Sequence, residues 1–191
     1  MLKREYLLSL KIETLSGLTI KDLKMSNNKT ISYEDQYIRE ILDKTKNIAM
    51  IGLSSSWQRP SYFVAKYLLD RGYRIFPINP KEAGKKILEQ KVYSNILEIK
   101  ERIDMVDIFR KSSDVDFLID DILNVTPSCI WLQIGVINFK IHKLAKKNNI
   151  NIIMDRCPKI EYCRLSGELG WAGINSGTFY NKRRMIKSLM K

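Results

Sequence analysis

Short apolar runs alternate with amphipathic stretches along most of this chain. Each run holds almost only apolar residues, which is the pattern of strands buried on both faces of a parallel sheet. The five predicted strands cover Asn47 to Gly52, Arg74 to Asn79, Asp104 to Phe109, Ser128 to Gln133 and Asn151 to Asp155.

Between these runs, apolar residues recur at helical spacing. The spacing predicts helices over Glu34 to Lys44, Pro60 to Arg71, Asp114 to Asn124 and Phe139 to Lys147, with a short helix between Ser94 and Arg102. Alternating strands and helices favour right-handed βαβ units. The predicted fold is therefore α/β, with a single doubly wound, mainly parallel five-stranded sheet of Rossmann-like type.

The pattern divides the chain into three parts. We expect a Rossmann-like domain over residues 32–175, an N-terminal extension over residues 1–31 whose weak pattern would suit disorder, and a basic C-terminal tail over residues 176–191. Met25 offers an alternative start of translation.

Composition narrows the classes of protein. The chain has 191 residues, 45% of them hydrophobic, which suffices for one core. No run approaches the roughly 20 apolar residues of a membrane span, and the start does not look like a signal peptide. Three widely spaced cysteines and one histidine fit neither a disulfide framework nor a zinc site. We therefore expect a cytoplasmic protein with reduced thiols, without a metal and without a membrane partner.

The net charge of +12 does not by itself identify the binding partner. It suits an anionic ligand or a nucleic acid, but lysines scattered through an Ile- and Asn-rich chain suit biased composition equally well. Only the C-terminal tail concentrates basic residues.

The loop after the first predicted strand, Ile51 to Tyr62 (IGLSSSWQRPSY), has the chemistry of an anion site. Gly52 permits a tight exit from the strand. Ser54 and its neighbours supply hydroxyl groups, and Arg59 supplies a guanidinium group, whose N–H donors suit phosphate oxygens, at the start of a helix. Serine-rich turns also occur as plain helix caps, so we favour phosphate binding without excluding capping.

The loop after the second strand indicates which class of nucleotide the protein would bind. NAD-binding units usually place an acid there for the ribose hydroxyl, but this chain reads Asn79-Pro80-Lys81 and reaches Glu82 only afterwards. A lysine suits a ribose that carries an additional phosphate, as in NADP and coenzyme A. An ordinary surface lysine is the alternative.

Several motifs in order resemble one family. They are IGLS with Arg59-Pro60-Ser61, GYRIFPINP from Gly72 to Pro80, Val92-Tyr93, DMVDIFR from Asp104 to Arg110, WLQIGV from Trp131 to Val136, and MDRCPK from Met154 to Lys159. Over about residues 35 to 165 the chain resembles the small CoA-binding proteins with a Rossmann-like domain, relatives of the nucleotide-binding domain in the α subunit of succinyl-CoA synthetase. One departure is the absence of a glycine in Ile87 to Tyr93, where the family tends to have one.

The resemblance implies coenzyme A or acyl-CoA as the ligand. It implies that Gly52, Ser54 and Arg59 hold the diphosphate and that Asn79, Pro80 and Lys81 lie along the adenosine and its phosphate. Phe109 and Arg110 would flank adenine or a phosphate. Gln133 and Gly135 would border the pantetheine arm together with Trp131, for which a place in the sheet core is the favoured alternative.

Candidate catalytic groups are few. His142 lies on a predicted helix as an exposed residue, and nothing in the sequence places a partner beside Asp104 or Asp107. Cys157 is a possible redox thiol, since Arg156 and Lys159 would favour its thiolate, although a packed structural cysteine is the favoured alternative.

The sequence thus predicts a CoA-binding module without catalysis of its own, acting as a carrier, sensor or accessory to an unidentified protein partner. An NADP-linked oxidoreductase and a basic nucleic-acid-interacting protein remain the alternatives, with nucleic acid the less favoured partner. The oligomeric state is left open.

Overall fold

The computed structural model describes residues 24–25 and 31–167. The chain divides into two compact units, residues 1–34 and 35–191. In the first unit, strand β1 (Lys24–Met25) pairs antiparallel with β2 (Ile31–Ser32). The predicted C-terminal tail lies outside the described residues, and the predicted domain boundaries stay predictions.

The second unit alternates strands and helices as the hydrophobic pattern predicts. Its strands are β3 (Asn47–Ile51), β4 (Arg74–Ile78), β5 (Lys86–Ile87), β6 (Gln90–Lys91), β7 (Met105–Ile108), β8 (Cys129–Leu132) and β9 (Asn151–Ile153). Its α-helices are α1 (Asp35–Lys44), α2 (Pro60–Asp70), α3 (Ile119–Asn124), α4 (Phe139–Lys147) and α5 (Pro158–Leu165).

Five of these strands form one parallel sheet in the order β4-β3-β7-β8-β9. The predicted α/β fold class is confirmed. Chain order runs outward from β3 to β4 on one side and from β7 to β9 on the other. Right-handed crossovers therefore place helices on both faces of the sheet, and α2 packs with α5 whereas α4 packs against β9.

The sheet forms the core because its strands are buried on both faces. All four residues of β7 and all four of β8 are buried, which is the signature of central parallel strands. Asp104, just before β7, fixes one edge: its Oδ2 accepts hydrogen bonds from the backbone N–H groups of Lys46 and Asn47, both at 2.9 Å. Asp104 thus has a structural role at the amino ends of β3 and β7.

Two predicted helices are only partly helical. The segment predicted from Asp114 to Asn124 is a 3-10 helix over Ser112–Leu118 and becomes α-helical only at Ile119. Between Ser94 and Arg102 there is a single 3-10 turn, Ile96–Glu98. The Asn95 side chain accepts the Leu97 N–H there, so a side chain closes the turn in competition with a helix.

The segment without the family's glycine folds as a hairpin. Strands β5 and β6 pair antiparallel around Leu88 and Glu89, whose φ angles are +50° and +60°. Two left-handed residues form the turn that right-twisted hairpins favour, although only glycine, asparagine and aspartate adopt this conformation readily. The chain keeps the turn and accepts a conformational cost.

Glu89→Gly should therefore stabilise the protein. We expect the free energy of unfolding to rise by about 1 kcal/mol, because glycine adopts a positive φ without steric cost. Chemical denaturation measures the change. The control is Glu89→Ala, which removes the same exposed carboxylate but keeps the unfavourable φ, and should change stability by less than about 0.5 kcal/mol. Equal stabilities of the two variants would contradict the prediction.

Candidate functional site

Four predicted site residues form a row across the carboxyl edge of the sheet. Ile51 pairs with Ile78 and Ile108, and Ile108 pairs with Leu132. The residues that follow these paired positions are Asn79, Gly52, Phe109 and Gln133, in the order of the strands. The strand order reverses between β3 and β7, where open α/β sheets bind their ligands. The row therefore crosses the expected binding position.

Gly52 allows the ends of β3 and β7 to approach closely. Its φ is +87°, and a Cβ atom there would lie 2.6 Å from the Phe109 carbonyl oxygen and 3.4 Å from Arg110 Nε. Its own N–H donates to the Ile78 carbonyl at 2.8 Å. No L side chain fits this position without displacing backbone. The close approach also brings the exposed Arg110 to the strand reversal.

The loop from Ser54 to Arg59 is held by its own polar groups. The Ser54 N–H donates to Ser61 Oγ, the Ser56 N–H donates to Ser54 Oγ, both at 3.2 Å, and the Arg59 N–H donates to the Ser56 carbonyl. Arg59 is the N-cap residue of α2, and its side chain makes no capping hydrogen bond. These serines order the loop, and Arg59 presents an exposed cation at a helix N-terminus.

Asn79 ties the second loop to the first. Its amide donates to the Leu53 carbonyl at 3.0 Å and to Glu82 Oε1 at 3.1 Å, while its oxygen accepts the Lys81 N–H. Pro80 and Lys81 are exposed in the same turn. Asn79 therefore positions both loops, and Lys81 stays accessible to a ligand.

Glu82 lies closer to the site than its place in the sequence indicates. Its carboxylate accepts the Ser55 N–H at 3.3 Å as well as the Asn79 amide. Along the chain this acid stands beyond a proline and a lysine. The 3-10 turn Pro80–Glu82 folds it back onto the first loop, an arrangement that only the three-dimensional structure reveals.

Asp107 does have a partner, which corrects the sequence-based interpretation. Its side chain is fully buried on β7, and Gln133 Nε2 donates to its Oδ1 at 2.6 Å. Burial raises the pKa of Asp107 from 3.8 to about 7, although the Gln133 hydrogen bond lowers it in part. Within residues 31–167, Oδ2 has no hydrogen-bond partner. The sequence separation of 26 residues hides this pair from pattern analysis.

Gly135 and Phe109 complete the exposed part of the edge. Gly135 has a φ of +78°, is exposed, and donates its N–H to Asp155 Oδ1 at 2.8 Å. A Cβ atom there would meet open space. Phe109 is half-buried. Trp57, which no sequence motif singled out, is 65% exposed in the loop before α2.

Two predicted positions belong to the interior. Trp131 is fully buried and its Nε1 donates to the Arg156 carbonyl at 2.8 Å, so the core interpretation of Trp131 is confirmed. Cys157 is buried, and burial raises the pKa of its thiol more than Lys159 lowers it. Lys159 favours the thiolate as predicted, but desolvation of the charged form outweighs it, so the net shift of the pKa disfavours the thiolate. A mixed disulfide at Cys157 remains an untested hypothesis.

Other chemistry is sparse in the described part of the chain. His142 is half-buried on α4 rather than exposed as predicted, and burial lowers its pKa, with Lys146 adding to the effect. No group of three or more His, Cys, Asp or Glu residues in residues 31–167 could hold a metal ion. No helix in the same range is long and apolar enough to cross a bilayer.

Comparison with known proteins agrees with this geometry. The model of the CoA-binding domain family, described as "CoA binding domain", matches residues 46–163, which is most of the chain and contains the whole row at the carboxyl edge. The chain belongs to the CoA-binding domain family.

Individual proteins and solved structures are also similar to this CoA-binding domain. It is 34% identical to "Uncharacterized protein YneT" of Bacillus subtilis, over 65% of this chain and 91% of that protein. The solved structure of cell-free ID.343 from Thermus thermophilus is 32% identical, with a TM-score of 0.67, and the match covers 69% of this chain and 98% of that one. An ADP-forming acetate–CoA ligase of Methanocaldococcus jannaschii is 29% identical over 65% of this chain, but the match spans only 18% of the ligase.

The role of Gly52 in this CoA-binding domain can be tested with alanine. Gly52→Ala should lower the free energy of unfolding by about 1–3 kcal/mol more than Gly84→Ala. Both glycines have left-handed φ angles, +87° and +82°, but only the Cβ at position 52 meets backbone within 4 Å. Chemical denaturation of both variants gives the difference. Equal losses would mean that the close approach of β3 and β7 imposes no constraint.

The buried Asp107 carboxyl should make stability depend on pH. The native state keeps the proton up to about pH 7, whereas the unfolded chain releases it near 3.8. Stability should therefore fall as the pH rises from about 4 to about 7 and then level off. We expect wild type to lose roughly 4 kcal/mol relative to Asp107→Asn across this window. Denaturation of both proteins at about pH 4, 5.5, 7 and 8.5 measures this, and a pH-independent difference would contradict it.

Proposed function

We propose that this protein binds coenzyme A or an acyl-CoA over the carboxyl edge of its sheet, between the ends of β3 and β7. The close approach at Gly52 is the observation that carries the proposal. Position 52 has no room for a side chain, and the Arg110 side chain lies beside it. Membership of the CoA-binding domain family supports the ligand class.

The diphosphate would lie at the start of α2. Gly52 gives backbone access there, and Arg59 supplies a cation whose planar fork suits phosphate oxygens. The Ser54 hydroxyl oxygen accepts a hydrogen bond from the Ser56 N–H and so fixes the loop. In the proposed complex the same hydroxyl would also contact the diphosphate. Helix N-termini favour anions through their aligned N–H groups.

The adenosine would lie along Asn79, Pro80 and Lys81. Asn79 fixes the turn through its bonds to Leu53 and Lys81, and the exposed Lys81 ammonium is available to the additional ribose phosphate. Phe109 and Arg110, at the end of β7, would flank the base or a phosphate. Gln133 and Gly135 would border the pantetheine arm.

Binding without catalysis is the favoured role. The buried Asp107 accepts a hydrogen bond from Gln133, an amide, and His142 is half-buried on α4. The likeness to an acetate–CoA ligase is limited to 18% of that enzyme. We therefore favour a carrier, sensor or accessory module.

Ligand selectivity tests the proposal. In a thermal shift experiment, CoA should raise the melting temperature more than dephospho-CoA, NADP, NAD or an oligonucleotide. Lys81→Ala should weaken CoA binding about three- to tenfold and leave dephospho-CoA unchanged, because only CoA carries the ribose phosphate. Arg59→Gln should weaken both, since both carry the diphosphate.

The matched control is Lys100→Ala, which removes an exposed lysine from the segment that precedes β7. It should bind CoA as wild type does, at low and at high salt. Stabilisation by NADP but not CoA would favour an NADP-linked oxidoreductase. Stabilisation only by the oligonucleotide, lost at high salt, would favour nucleic-acid binding.

A further inference from the structure

Asp107 is a buried acid that the proposed site does not use. It is completely inaccessible on the central strand of the sheet, one residue before that strand ends, and Oδ2 has no hydrogen-bond partner in residues 31–167. Burial, and to a lesser extent the Asp107 charge, raises the pKa of the nearby Cys129 and Cys157 thiols, and no cation contributes to the pKa shift of Asp107 itself. Burying a carboxyl in this way costs free energy that an apolar residue would not. The free-energy cost of burying this carboxyl suggests that Asp107 has a function.

The Asp107–Gln133 pair has only one orientation when the acid is ionised. A carboxylate accepts hydrogen bonds and cannot donate them. The Gln133 amide must therefore turn its nitrogen towards Asp107, as observed at 2.6 Å. This leaves the amide oxygen, Oε1, on the other side of the same planar group.

Gln133 lies at the end of a central strand and is not completely buried. It is the member of the row that follows β8, next to Phe109 at the end of β7. Gln133 retains an exposed fraction of 8%, whereas Asp107 has none. The hydrogen bond to Asp107 is the one that this side chain makes within the described residues. Among the described residues no group donates to Oε1, so a ligand could supply the donor.

We propose that Asp107 is a positioning residue that fixes the Gln133 amide so that its oxygen accepts a hydrogen bond from an amide N–H of the pantetheine arm. The inference rests on the proposed function and adds a specificity element to it. It explains why a buried acid lies directly behind the row. A ligand arm with amide N–H groups is recognised, and an arm without donors is not.

Asp107→Asn tests the orientation. The introduced amide can donate to Gln133 Oε1, which allows the Gln133 amide to flip and present its NH₂ group to the ligand, donor against donor. At about pH 8, we expect CoA affinity to fall about tenfold. Affinity for adenosine 3′,5′-bisphosphate, which lacks the pantetheine arm, should stay within about twofold. Isothermal titration calorimetry measures both.

The double variant Asp107→Asn with Gln133→Glu provides the control. The carboxylate introduced at position 133 accepts from the amide introduced at position 107 and presents its second oxygen to the ligand. The hydrogen bond therefore returns with donor and acceptor exchanged and with the total charge unchanged. CoA affinity should recover to within about threefold of wild type. Recovery requires a folded protein, which far-UV circular dichroism of both variants checks.

Each other outcome has a definite meaning. Unchanged CoA affinity in Asp107→Asn, an equal loss for CoA and the bisphosphate, or no recovery in the double variant would overturn the positioning role while leaving CoA binding intact. A wild-type protein that binds neither compound would overturn the proposed function, and the positioning role with it.

Discussion

The close approach of two backbone segments at Gly52 is the constraint on which the site depends. The strand order reverses between β3 and β7, and the crossover helices diverge to opposite faces there. Open α/β sheets bind their ligands at such a point. With the Phe109 carbonyl 2.6 Å from where a Cβ would stand, this chain leaves room for backbone alone. The side chains of the surrounding loops would then decide which ligand binds there.

The parallel register of the strands brings the candidate site residues together at one edge of the sheet. Because neighbouring strands end in step, the residues that follow them, Asn79, Gly52, Phe109 and Gln133, lie side by side although they are distant in sequence. The two acids around β7 show how position decides their roles. Asp104 joins strands at the amino edge through backbone N–H groups, whereas Asp107 is buried behind the row at the carboxyl edge.

Apolar periodicity was sufficient to predict the five-stranded sheet and the bounds of α4, because burial on both faces leaves a continuous apolar run. The proposed ligand-binding residues were inferred from motif resemblance, and their role stays a prediction. Neither source could reveal Glu82 against Ser55 or Asp107 against Gln133, since these contacts join distant segments after folding. The 3-10 start at Ser112–Leu118 was missed because a 3-10 segment shows the same apolar spacing over so short a length.

Net charge says little about what this protein recognises. A total of +12 would attract any anion, and the exposed Arg59, Lys81 and Arg110 would serve several nucleotides. The direction of a hydrogen bond discriminates more finely between ligands. A buried donor that faces another donor loses more free energy than a single exposed charge contact contributes. A buried carboxylate forces its amide neighbour to show oxygen outward, and burial keeps water from competing for that bond. The proposed selectivity for an amide-bearing arm would therefore come from the core behind the row, where Gln133 donates to the buried Asp107.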